Sequence, residues 1–288
     1  MNSSDKYDKT ILEKEIKLVS IGSRPLDLKR FPDFFCIGPQ RTGSTWLHTN
    51  LVKHPEILMH RDKETFFFST LGRPDLPRFR YKCLDDYLAS FKDCFFERLL
   101  KNYHSLRRRK RLYSPHIIGE STASYCVLQD SIINYITVLN PDLKVIVLLR
   151  DPLERAWSHA KKDLIRDTGR EASIEEFLQF CSSQEQLNRA DYAGILARWQ
   201  RHLKPGHCLI TRGERITSDP EGLLRDVLTF LGAHDCRPPS LRHITTRQNP
   251  TAGLKIPHAV RAELELILRH HLEFYEELKN RIGDLMIV

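Results

Sequence analysis

The sequence has no run of about 18 apolar residues, the length a helix needs to cross a bilayer. Met1 to Lys17 alternate charge and polarity without the apolar stretch of a secretory leader. The seven cysteines (Cys36, Cys83, Cys94, Cys126, Cys181, Cys208, Cys236) stand singly and in odd number. With no Cys-x-x-Cys pair among them, neither a disulfide framework nor a zinc site is indicated, and a reducing compartment fits best. Internal repeats, low-complexity tracts and an interdomain linker are also absent, which argues for one domain. Together these absences predict a soluble, cytoplasmic protein with no membrane span.

What the 288 residues do contain is a 41% hydrophobic fraction, ample for a buried core. Lys and Arg outnumber Asp and Glu by 45 to 37, a net +8 that favours a polyanionic ligand: a nucleotide, a nucleic acid or an acidic glycan.

The hydrophobic pattern alternates between short continuous runs and 3.6-residue periodicity. Strands are expected at Phe34 to Ile37, around Ile57 to Met59, from Ile117 into Gly119, at Val145 to Leu149 and at His207 to Thr211. Helices are expected after Gly43, from Leu84 to Arg111, Gln129 to Leu139, Ile174 to Phe180, Tyr192 to Leu203, Pro220 to Leu231 and about Pro257 to Ile282. Residues 1–32 read as a polar arm with one short helix, Thr10 to Val19, and residues 33–288 as a single three-layer α/β/α domain around a central parallel sheet.

Two motifs carry chemistry. In Gly38-Pro39-Gln40-Arg41-Thr42-Gly43-Ser44-Thr45 the glycines have the spacing of a phosphate loop, whose amides and following helix start hold an anion. Ser44 stands where a Walker A loop carries its lysine, which weakens a kinase or NTPase reading. The cation has moved into the loop, at Arg41, where it can face a transferring group. The second motif, Arg150-Asp151-Pro152, closes the apolar strand Val145 to Leu149. Asp151 is placed to cap a helix, Pro152 to open it, and Ser158 falls two turns along. A ligand at the carboxyl edge of the sheet would meet both motifs.

Gln40-Arg41-Thr42-Gly43-Ser44-Thr45-Trp46-Leu47 resembles the 5′-phosphosulfate loop of the sulfotransferase family, whose members carry Lys or Arg at the place of Arg41. Val145 to Pro152 with Arg155 and Ser158 is similar to the family's 3′-phosphate element. The resemblance spans about residues 33 to 285 and is nearest to the glycan- and heparan-modifying branch and to bacterial sulfotransferases. It implies a P-loop NTPase-like sulfotransferase fold and 3′-phosphoadenosine 5′-phosphosulfate (PAPS) as donor, with adenosine 3′,5′-bisphosphate as product and no metal. Arg41, Thr42, Gly43, Ser44, Thr45 and Trp46 would hold the 5′ end of that donor, and Arg150 and Ser158 its 3′-phosphate. Arg247, in Thr246 to Pro250 where relatives have a basic loop, would be a further phosphate contact.

Lys63-Glu64-Thr65-Phe66-Phe67-Phe68 resembles the segment that supplies a glutamate base in the glycan-modifying branch, with Glu64 at that glutamate and Phe66 replacing the usual histidine. His48, His54, His60 and His159 compete as bases, His159 foremost because it adjoins Ser158. Gly119 to Tyr125 is similar to a stretch lining the acceptor cleft, Ser121 and Ala123 replacing its Lys and Pro. The expected reaction is in-line sulfuryl transfer to a hydroxyl or amino group of a small-molecule or glycan acceptor, by preference a saccharide or aliphatic alcohol. A nucleotide kinase is the alternative enzyme. A non-catalytic nucleic-acid or polyanion-binding protein, using the +8 charge and the run Arg107 to Arg111, is a third reading; the leading one has no nucleic-acid partner.

Overall fold

The computed structural model of the protein describes residues 28–169, 171–234, 256–283 and 285–288. The expected helix Thr10 to Val19 and Arg247 lie outside them. After a 3-10 turn at Leu28–Arg30 come β1 (Phe34–Gly38), α1 (Ser44–Leu51), β2 (Ile57–Met59), α2 (Leu84–Ala89), α3 (Phe95–Arg109), β3 (Ile117–Ser121) and a second 3-10 turn, Ala123–Val127. The chain continues through α4 (Asp130–Leu139), β4 (Lys144–Leu149) and α5 (Pro152–Ala160), which runs on as a π-helical turn, Lys161–Arg166. Then follow α6 (Ile174–Ser182), α7 (Gln184–Ala190), α8 (Tyr192–Gln200), β5 (Cys208–Arg212), α9 (Arg215–Ser218), α10 (Pro220–Leu231), α11 (His258–Ile267), α12 (Arg269–Ile282) and β6 (Leu285–Ile287).

The six strands form one sheet in the order β2-β3-β1-β4-β5-β6. Five are parallel, with Phe34 beside Gly119 on one side and Lys144 on the other, and Val145 beside Cys208. Period-two alternation sorts the side chains of the inner strands into two cores. Phe35, Ile37, Val145, Val147, Leu149 and Ile210 join the core packed by α2, α4, α8 and α12. Phe34, Cys36, Ile146, Leu148 and Leu209 join the core packed by α1 and α10. A third, smaller cluster of α5, α6, α7 and α11 stands apart from both. This is the expected three-layer architecture, with strands covered on both faces as their unbroken apolar runs imply.

Three features differ from the sequence expectation. β6 is antiparallel, Leu209 facing Ile287, and its three residues are too short a signal to read. The helix expected over Leu84 to Arg111 is two helices. The second restarts at Cys94, whose thiol accepts from Glu97 N (3.4 Å) while the Glu97 carboxylate takes Cys94 N (3.0 Å), a reciprocal capping box. The last helix divides at Leu268 (φ −97°), so α11 packs into the third cluster while α12 sends Tyr275, Leu278 and Ile282 into the main core. The end of the arm is core material as well: Phe31 is buried and packs against Phe35 and Phe68.

Gly119 in β3 is required by packing. A Cβ there would lie 2.1 Å from Cζ of the Phe34 ring, in a core where both strands are fixed. Gly119→Ala should therefore destabilise the fold by roughly 1–3 kcal/mol through overpacking. Chemical denaturation checks this, and an unchanged midpoint would show that the Phe34 ring can move aside.

Candidate functional site

Three of the expected motifs follow a strand's carboxyl end. The phosphate loop follows β1, Arg150 follows β4, and the segment carrying Glu64 follows β2. Gly213 follows β5, where its N–H donates to Leu149 O (2.6 Å). A Cβ on Gly213 would stand 2.3 Å from the Thr42 carbonyl oxygen, so the β5 end presses directly on the phosphate loop. Gly43 takes φ +110°, open to glycine, and a Cβ there would meet Ile216 Cδ1 at 2.1 Å. Ser44 then begins α1, whose first-turn amides lack intrahelical acceptors. Thr42 is turned inward, its hydroxyl donating to Pro39 O (2.8 Å).

The two motifs meet. Arg41 Nε donates to Ser158 Oγ (3.0 Å), and Arg150 Nη1 donates to Arg41 O (3.2 Å). The Arg150 carbonyl is held in turn by the Tyr192 hydroxyl (2.6 Å). Asp151 caps α5 by accepting from Glu154 N (2.9 Å), with Pro152 in the first turn, which fixes where Ser158 falls. Burial and the guanidinium groups of Arg166 and Arg150 press the Arg41 pKa downward. That repulsion among cations is relieved by an anion bound between them.

These residues open onto a cleft of about 650 Å³. Arg41, Thr42, Gly43, Ser44, Thr45, Trp46, Glu64, Arg150, Ser158 and His159 all line it. Trp46 does so only marginally, since its ring is buried with Leu47 and Leu51. The walls carry eight Lys or Arg against five carboxylates, a balance that favours an anionic ligand. Arg155, the fourth residue of the β4 motif, is fully buried on the inner face of α5, its guanidinium held by Gln186 (3.2 Å), and belongs to the helix packing instead.

Glu64 reaches the cleft on a strained, anchored segment. Arg41, Glu64 and Phe66 have φ of +70°, +70° and +57°, so three of the four described non-glycine residues with positive φ line this cleft. Such conformations persist only where surroundings over-determine them. Here Glu64 N donates to Ser121 O (3.1 Å) and Thr65 N to Thr122 Oγ1 (3.1 Å). Below them the buried Glu120 carboxylate accepts from the hydroxyls of Thr65, Tyr87 and Thr122. Burial and Glu120 push the Tyr87 and Tyr125 phenols far up, so both stay protonated. Glu64 itself pairs with Lys63 (3.0 Å). Of the aromatic block, Phe67 and Phe68 are core; Phe66 faces the cleft with Arg78 over its ring (4.5 Å).

Among the described histidines, His159 alone lines the cleft. His60 is tied to Ser90 Oγ (2.8 Å) and the Tyr81 hydroxyl (3.1 Å), and His54 accepts from Glu56 N (3.3 Å). Lining residues that sequence reasoning missed include Arg189, whose Nε donates to Gln40 Oε1 (2.7 Å), and Lys162 and Arg166 on the π-helical turn. Arg189 stands on α7, which the pattern did not show. Gly213 was legible in principle as a glycine directly after a strand.

Sheet, loop and cleft together define an α/β protein with a cation-rich cleft at the carboxyl edge of its strands. The chain belongs to the sulfotransferase family, whose model matches residues 32–235. It is 33% identical over 214 residues to mouse (Mus musculus) heparan sulfate glucosamine 3-O-sulfotransferase 3A1, covering 71% of this chain and 46% of that protein. It is 28% identical over 239 residues to the human (Homo sapiens) bifunctional heparan sulfate N-deacetylase/N-sulfotransferase 3, covering 74% and 23%. The chain thus spans about half or less of the length of the relatives it matches. A crystal structure of a sulfotransferase from Alicyclobacillus acidocaldarius superposes with a TM-score of 0.63 at 22% identity, over 86% of this chain and 95% of that one, and shares the fold.

Two buried histidines make stability depend on pH. Burial holds His48 and His159 down to about 4, against an ordinary value of 6.5, His159 despite the nearby Asp163 carboxylate. Between those values the unfolded chain binds more protons than the folded one. Their stabilisation is therefore complete above pH 6.5 and is lost as pH falls toward 4. The melting temperature should decline across that window, and His48→Leu, replacing a ring whose Nδ1 has no partner, should make the decline shallower. A slope identical to wild type would contradict this.

Proposed function

We propose that the protein transfers a sulfuryl group from PAPS to a hydroxyl of an acidic saccharide. The observation that carries this reading is the direct contact of Arg41 with Ser158 and of Arg150 with the Arg41 carbonyl, which puts both phosphate-binding motifs in one cleft. A volume of about 650 Å³ accommodates a nucleotide with part of an acceptor. The loop amides and Thr45 hold the 5′-phosphosulfate; Arg150 and Ser158 hold the 3′-phosphate.

In the reaction Glu64 accepts the acceptor's hydroxyl proton. The acceptor oxygen bonds to sulfur on the face opposite the bridging phosphate oxygen, and that S–O bond breaks with its electron pair leaving on the phosphate. Adenosine 3′,5′-bisphosphate departs and the acceptor leaves as its sulfate ester. Arg41 stabilises charge on the sulfuryl and leaving oxygens, and Lys63 orients Glu64. His159, neutral and engaged by Gln186 (3.1 Å), is a wall residue in this scheme. The relatives named above act on heparan sulfate, and Lys63, Arg78, Lys162 and Arg166 around this cleft fit a carboxylated or sulfated sugar chain.

Adenosine 3′,5′-bisphosphate should raise the melting temperature and ATP with magnesium should not. In transfer of labelled sulfate from PAPS to heparan-type oligosaccharides, Glu64→Gln should lower kcat by about 10²- to 10⁴-fold, leaving the thermal shift intact. Turnover unaffected by Glu64→Gln would remove that residue from the chemistry. A shift with ATP alone would overturn the donor assignment.

A further inference from the structure

Helix α3 is amphipathic in the opposite sense to a normal surface helix. The residues it turns toward the domain are polar: Glu97, Lys101, Asn102 and Ser105 are buried or half-buried along one stripe. Lys101 pairs with Asp93 and donates to the Tyr113 hydroxyl (3.2 Å), the Asn102 side-chain oxygen takes Tyr113 N (2.9 Å), and Glu97 stands 3.7 Å from Arg61. The opposite side carries Phe95, Phe96, Leu99, Leu100, Tyr103 and Leu106, from 45% to 75% exposed. At about 100° per residue these six side chains occupy one arc of roughly 140°. An arc of that width on a soluble domain marks an interaction surface.

The charge around the arc selects the partner. Arg107 falls within the arc and the helix ends at Arg109; the exposed Lys110 and Arg111 follow, Arg111 pairing with Glu56 (3.1 Å), and then the 64% exposed Leu112. Arg107 also bonds the Tyr103 hydroxyl (3.2 Å). A sulfated glycan would engage the arginines but leave two phenylalanines and three leucines in water. A second copy joined through this face would cover the apolar arc, but the arc itself carries no carboxylate for Arg107 and Lys110. An anionic bilayer satisfies both parts, acyl chains taking the rings and leucines, lipid phosphates the guanidinium groups. We propose that α3 docks the protein peripherally onto an anionic lipid surface, lying in the headgroup plane with Phe95, Phe96, Leu99, Leu100, Tyr103 and Leu106 inserted.

Flotation of the full chain with vesicles tests this. It should rise with phosphatidylcholine vesicles containing roughly one third phosphatidylserine, stay behind with phosphatidylcholine alone, and lose binding as salt increases. Phe96→Glu with Leu99→Glu should lower the bound fraction at least about tenfold with the melting temperature unchanged, since both side chains are exposed. Arg107→Gln with Lys110→Gln supplies a second variant that spares the apolar arc and should weaken binding to the anionic vesicles alone. The proposal is overturned if wild type fails to float with the anionic vesicles, or if Phe96→Glu with Leu99→Glu floats as wild type does. It is equally overturned by a sedimentation-velocity dimer that this variant abolishes, by heparin-oligosaccharide binding that takes the place of vesicle binding, or by vesicle binding that appears only after residues 1–27 are deleted.

Discussion

The site depends on how closely the phosphate loop is pressed against the ends of β4 and β5. The Thr42 carbonyl fills the place where Gly213 would carry a Cβ, and Arg150 donates to the next carbonyl back, that of Arg41. These contacts hold Arg41 in the left-handed region, a conformation an arginine does not keep unaided. Its side chain is thereby sent across to Ser158 on α5. A loop that would otherwise present only backbone amides thus becomes one wall of a cleft whose other wall descends from β4, and one ligand can be held at two ends.

The same logic governs the Glu64 side of the cleft. Glu64 also has positive φ, and its segment is tied to the end of β3 through Ser121 and Thr122. Beneath it, Glu120 is a fully buried carboxylate satisfied by three hydroxyls, one of them from Thr65, the neighbour of Glu64. Buried and partnered in this way, Glu120 is a positioning residue: removing its acceptors leaves Thr65 and Tyr87 unsatisfied in the core, a cost felt first by the segment that carries Glu64. Two strained residues, Arg41 and Glu64, therefore face one cleft from two loops, each fixed by neighbours in the sheet.

Much of this was legible beforehand, for identifiable reasons. The inner strands are buried on both faces and so read as unbroken apolar runs; α10 carries Asp219-Pro220 at its start and Gly232 at its end, and its bounds were read without error. Arg41, Ser44, Arg150 and Ser158 could be read as neighbours because loop and helix-start motifs have fixed spacing, and all four line one cleft. What escaped was set by tertiary contact. The break before Cys94 depends on a capping box built from a thiol, β6 on three residues pairing with a strand far away, and the place of Arg155 on packing against Gln186. The π-helical turn bearing Lys162 and Arg166 has no periodicity signature, so two cations of the cleft were invisible in the sequence.

The central claim is that a single nucleotide is gripped at both ends, and calorimetric titration of the wild type and Arg150→Met with adenosine 3′,5′-bisphosphate and with adenosine 5′-monophosphate tests it most directly. Wild type should bind the bisphosphate more tightly by about tenfold or more, as expected for a lost charge-assisted contact of about 1.5–3 kcal/mol, and Arg150→Met should bind both equally. An undiminished preference for the bisphosphate in Arg150→Met would contradict the account.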